Sequence, residues 1–174
     1  APLPADEQSS IYRQLVARLG KDRVCLAAKP SDVSADRWAS AAAVVFVCGS
    51  TSERSYDSEF DDNGAAKAVA EYGATCGEGV DLSDIRLPWH QDEMLDEVVA
   101  LTTAPVVSVV VCGRAHVLTH VIGQSAVTIW VGYAGQYGPQ AVADVLIDGA
   151  GLPGRLPVTL PAHPAAIPVR YNDR

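Results

Sequence analysis

The sequence reads as an α/β protein: a three-layer sandwich on a mostly parallel sheet of about six strands, with one antiparallel strand at its edge. Three observations give this. Apolar runs at residues 43–48, 106–112 and 126–131 are continuous rather than alternating, and each stops at a glycine (Gly49, Gly113, Gly132). A strand covered on both faces has that pattern, whereas a half-exposed strand alternates. Between the runs lie amphipathic stretches of helical period, and strands alternating with helices build parallel sheets. The last apolar stretch, residues 154–161, is fenced by Pro157 and Pro161, which places it at a sheet edge.

In chain order, Ile11, Leu15, Val16 and Leu19 mark an amphipathic helix over residues 8–19, ended by Gly20. Residues 24–28 read as a short buried strand. Residues 34–42 form a second, alanine-rich helix behind the Ser34 cap. After the 43–48 strand comes a long polar excursion, residues 49–75, with a short helix over 65–72. A connection of that length in a compact domain is more often functional than idle. After Leu87-Pro88, the residues Leu95, Val98, Val99 and Leu101 fall along one helical stripe. Strands at 106–112 and 126–131 follow, and Pro139 opens a final helix through Leu146.

The chain of 174 residues, 48% hydrophobic, suits one domain with one core; residues 1–10 read as a linker or as the point where a longer chain was cut. No apolar run is long enough to span a bilayer, and the N-terminus lacks the basic start and apolar core of a signal peptide. A soluble protein, secreted or cytoplasmic, is expected. The net charge of −8 argues against nucleic acid and anionic membrane surfaces as partners. Cys25, Cys48, Cys76 and Cys112 fall at no metal-ligand spacing. They read as buried, reduced thiols, with one unassigned disulfide left open.

The stretch richest in chemistry is Cys76-Gly77-Glu78-Gly79-Val80-Asp81. A carboxylate between two glycines sits on a backbone free to approach a ligand closely. Asp81 adds a second carboxylate, although a solvated acidic turn has the same composition. Strand-end loops of a parallel sheet converge on one rim, so this stretch, the 49–75 excursion and the 132–138 loop are expected together. Trp89 and Trp130 border that rim, where either would stack on a sugar or pack in the core. Glu59, Asp61 and Asn63 before Gly64 approach a calcium loop, but its twelfth position is Ala70. Cys112, His116 and His120 recur every four residues, yet Gly113 interrupts them and no fourth ligand accompanies them. No cofactor and no metal is expected, and no nucleophile elbow is present.

The series Gly49-Ser50-Thr51-Ser52-Glu53-Arg54, Asn63-Gly64-Ala65-Ala66, Cys76 to Asp81, Leu87-Pro88 with Gln91, Val109 to Arg114, Gly132 to Gln136, Ala143 to Leu146 and Gly154 to Pro161 resembles the C-terminal domain of glycoside hydrolase family 3, from about Tyr12 to Asn172. The resemblance implies an α/β sandwich that supplies the acid/base glutamate of retaining, exo-acting β-glucosidases and β-xylosidases. A separate barrel domain carries the nucleophile. By that resemblance Glu78 is the catalytic acid/base, and Arg54, Asp81 and Trp89 are substrate-binding candidates. The partners implied are a β-linked oligosaccharide or glycoside and a family 3 barrel in cis or in trans. Leu82 stands where the family pattern has arginine, and Tyr137 where it has glutamate. With no segment able to serve as the nucleophile's strand, the chain alone is expected to be inactive. The other reading is a carbohydrate-binding or protein-interaction module that has kept the fold and lost the reaction.

Overall fold

The computed structural model describes residues 10–52, 56–60, 62–63, 66–68, 73–77, 80–152 and 154–168. Helix α1 (Ile11–Leu19) begins at Ser10, whose hydroxyl accepts the Arg13 N–H, and ends at Gly20 with φ +91°. Helix α2 (Ala35–Ser40) follows Ser34, and strand β1 (Val44–Gly49) comes next. Strands β2 (Tyr56–Phe60) and β3 (Ala66–Ala68) pair with each other antiparallel. Helix α3 (Gln91–Leu101), strand β4 (Val106–Val111), helix α4 (Thr119–Gln124), strand β5 (Val127–Trp130) and helix α5 (Gly138–Ile147) complete the chain.

The main sheet has three parallel strands in the order β1-β4-β5, with Cys48 opposite Val110 and Val110 opposite Trp130. Phe46, Cys48, Val106 and Val110 project from one face into a core formed with Leu87, Leu95 and Val98 from the α3 region and with Leu118 and Val121 from α4. Val109 and Ile129 alternate to the opposite face and are buried there too. Burial on both faces is the physical reason the run in the central strand β4 is continuous. Helix α1 packs on α5, where Arg18 pairs with Asp144 and lies 3.2 Å from Asp148.

Four sequence expectations are corrected. Among the described residues the sheet has three strands, not about six, and the antiparallel pairing is confined to the separate β2/β3 ribbon. Residues 24–28 follow a 3-10 turn (Lys21–Arg23) and form no strand. Leu26 is 69% exposed and Cys25 is exposed as well, so nothing covers the run as a buried strand requires. Residues 154–161 form no edge strand either. Pro157 and Pro161 offer no N–H to a ladder, and Leu156 and Val158 stay exposed, so neither hydrogen bonding nor burial recruits them. Finally, part of the helix expected over 65–72 is strand β3, where pairing with β2 overrides the helical preference of alanine.

Candidate functional site

The carboxyl ends of β1, β4 and β5 lie side by side, and the loops leaving them build the rim. Gly49 ends β1 with φ +143°, and a Cβ there would stand 1.8 Å from the Val111 carbonyl oxygen, so only glycine permits this contact between strands. Ser50 N–H then donates to Val111 O at 3.1 Å, carrying the pairing past the strand end. The Gln91 amide fastens α3 to the same point: it accepts the Gly49 N–H at 2.7 Å and donates to Gly49 O and Pro88 O, both at 2.8 Å.

That clamp accompanies an unusual backbone. Trp89 and His90 have φ of +58° and +54°, a left-handed conformation costing about 1–2 kcal/mol per non-glycine residue. The turn leaves Trp89 53% exposed at the start of α3, beside the end of β1.

The stretch expected to carry the chemistry is fixed to the rim at its first residues. Thr75 and Cys76 N–H groups both donate to Thr51 O, at 2.8 and 3.1 Å, and Thr51 N–H donates to Thr75 Oγ1 at 3.0 Å. Cys76 is 1% exposed, and its Sγ lies 2.6 Å from the Tyr133 hydroxyl. Burial pushes its thiol up, but the Tyr133 hydroxyl, the Gly113 N–H and the Arg114 charge together outweigh burial and hold its pKa below the usual thiol value. Val80 N–H donates to Gly77 O at 3.2 Å, and the Arg114 guanidinium donates to Val80 O. Asp81 follows, exposed. Glu78 and Arg54 lie outside the described residues. The structure therefore brings Trp89 and the Cys76–Val80 flanks to the same strand end, through residues 49–51. Sequence reading missed Tyr133 and Arg114. Their only local signal is a position just after an apolar run.

The residues spaced by four do not converge. Helix α4 begins only at Thr119, so Cys112 and His116 share no helix with His120. His116 is fully buried and its Nδ1–H donates to Ile85 O at 3.0 Å, while its Nε2 has no partner; burial lowers its pKa. His120 meets Asp96 at 2.9 Å. Among the described residues, no group of three or more His, Cys, Asp or Glu side chains is placed to hold a metal ion. An open cleft of about 630 Å³ lies on the flank, lined by Arg86, Asp92, Thr119, His120 and His163 among others and by none of the rim residues above. No described helix is long and apolar enough to cross a membrane.

The model of the glycosyl hydrolase family 3 C-terminal domain matches residues 3–174. The chain is 31% identical over 115 residues to a β-xylosidase/α-L-arabinofuranosidase of Medicago sativa subsp. varia, covering 59% of this chain and 15% of that protein. It is 39% identical over 93 residues to a β-glucosidase of Rhizobium radiobacter, covering 53% of this chain and 11% of the relative. Among solved structures, the β-D-glucoside glucohydrolase of Trichoderma reesei superposes with a TM-score of 0.66 at 16% identity, over 91% of this chain and 20% of that one. The β-glucosidase of Listeria innocua in complex with isofagomine gives 0.56 at 25% identity, over 75% and 15%.

Proposed function

Because the chain belongs to the glycosyl hydrolase family 3 C-terminal domains, we propose that it is the acid/base-bearing domain of a retaining, exo-acting β-glycosidase. The observation that carries this reading is the Gly77-Glu78-Gly79 sequence directly after Cys76, whose backbone N–H is held by Thr51 O at the strand-end rim where a parallel sheet gathers functional groups. In this reading Glu78, protonated, gives its proton to the glycosidic oxygen as a carboxylate of the barrel domain attacks the anomeric carbon. The aglycone leaves with that proton and a covalent glycosyl-enzyme remains. Glu78, now a carboxylate, takes a proton from the water that hydrolyses the intermediate, returning both groups to their starting states. The two carboxyl groups would stand about 5–5.5 Å apart. Arg54 and Asp81 would bind sugar hydroxyls, and Trp89 would offer a stacking face.

A general acid alone contributes about 10²–10⁴-fold, so the 174-residue chain without a nucleophile should not measurably hydrolyse an aryl β-glycoside. Joined to a family 3 barrel it should. Glu78→Ala should then lose about 10²–10⁴-fold on poor leaving groups, with partial rescue by azide. Equal hydrolysis by the wild-type and Glu78→Ala assemblies would overturn the assignment. The second reading, a binding module without chemistry, draws on Leu82 and on Tyr137, which is 70% exposed. It requires glycan affinity in the chain alone and no activity with any barrel.

A further inference from the structure

One side chain touches all three loops of the rim. Tyr133, after β5, donates its hydroxyl proton to Ser50 O, after β1, at 3.0 Å. Its ring lies on Gly113, after β4, where a Cβ would stand 2.6 Å from Tyr133 Cε2. The same hydroxyl oxygen meets Cys76 Sγ at 2.6 Å. A phenol has one proton: while it is given to Ser50 O the thiol S–H donates to the tyrosine oxygen, and when Cys76 is a thiolate the hydroxyl donates to the sulfur instead. On the other side of Gly77, Arg114 holds Val80 O. Cys76 and Val80 are thus gripped by side chains from two different strand-end loops.

We propose that Tyr133 and Arg114 are positioning residues: they hold Cys76 and Val80, described residues on either side of the acid/base glutamate, to the strand-end loops. The proposal rests on Glu78 being that acid/base. Arg114 also supplies this stretch with a cation in a chain that has Leu82 where the family pattern has arginine. The Thr51–Thr75 pairing fixes the approach to Cys76 by itself, so Tyr133 and Arg114 act on the residues from Cys76 onward.

The clamp is testable in the 174-residue chain by mass-mapped alkylation of its thiols and by amide exchange over residues 75–81. At a pH where Cys76 is a thiolate in both proteins, Tyr133→Phe should raise the labelling rate of Cys76 about 10-fold while Cys48 and Cys112 stay protected, because one opened contact frees only that thiol. Arg114→Met should speed exchange at the Val80 amide, and Arg114→Lys should restore part of the protection. Unchanged Cys76 labelling and Val80 exchange would overturn the clamp. If Tyr133→Phe exposes all three thiols together, its fold is lost, and the two Arg114 variants then decide whether the clamp exists. Joined to a family 3 barrel, Tyr133→Phe should lower kcat/KM about 10-fold for an alkyl β-glycoside and much less for a dinitrophenyl one, since a misplaced acid matters only to a poor leaving group. In a Glu78→Ala background the same change should cost nothing further. A loss of equal size in both backgrounds would overturn the positioning role. Loosened labelling together with an indifferent Glu78→Ala would instead overturn the acid/base reading and leave the clamp standing.

Discussion

Cys48 shows how one buried atom reports its surroundings. Its side chain points from β1 into the core, and burial, followed by the nearby Cys112 and Asp92, pushes its thiol pKa from 9.0 up to about 12. Below pH 9 the thiol is protonated in the folded and unfolded chains alike, and its contribution to stability is fully present. Between pH 9 and 12 the unfolded chain releases the proton first, so stability falls as pH rises, by up to about 1.4 kcal/mol per pH unit. Cys112, also raised by burial, acts in the same direction. Denaturant midpoints measured from pH 8 to 11 should therefore decline, and Cys48→Ala should flatten the decline. An identical slope in the variant would assign the effect to other groups.

Helix α3 carries much of the load between sheet and solvent. The stripe legible in the sequence includes Leu95, Val98, Val99 and Leu101, but the structure buries its members unequally: Leu95 is 0% exposed, Val98 5% and Leu101 46%. Leu101 is the last residue of the helix. Leu95→Ala should cost about 2–5 kcal/mol in unfolding free energy, the range for truncating a buried leucine. Leu101→Ala should cost less than about 1 kcal/mol. Equal losses would mean that the face assigned to the core is wrong. The stripe gives the helix and its phase, but not its amplitude of burial, because periodicity shows which residues share a face and not how far the neighbouring layer extends.

At the scale of the molecule, the apolar surface is incompletely covered. Val47 in β1 and Val127 in β5, the two outer strands of the sheet, are 51% and 47% exposed, and Leu26, Leu152, Leu156 and Ile167 are more exposed still. On the proposed reading, part of this surface docks against a neighbouring domain. The chain alone should then self-associate as its concentration rises, seen as concentration-dependent sedimentation, and Val47→Lys with Val127→Lys should reduce that association. Strictly monomeric sedimentation of the wild-type chain would remove the support for a docking face there.

The order of residues was enough to reveal three parallel strands, the helices between them and the glycines that end them. The central strand β4 is buried on both faces, as an unbroken apolar run predicts, while the outer strands leave Val47 and Val127 open, and Gly49 admits no other residue against Val111. The arrival of Cys76 at the strand-end rim was also legible, because parallel topology leaves such loops little choice. Long-range packing settled the rest. Residues 24–28 and 154–161 have apolar content but no layer to cover them, and the β2/β3 ribbon depends on a pairing that no local pattern specifies. The contacts that define the rim join residues far apart in the chain: Tyr133 reaches Cys76 across 57 residues and Ser50 across 83. Sequence spacing carries no record of such contacts, since they exist only once β4 has settled between β1 and β5 and brought three loop ends to one place.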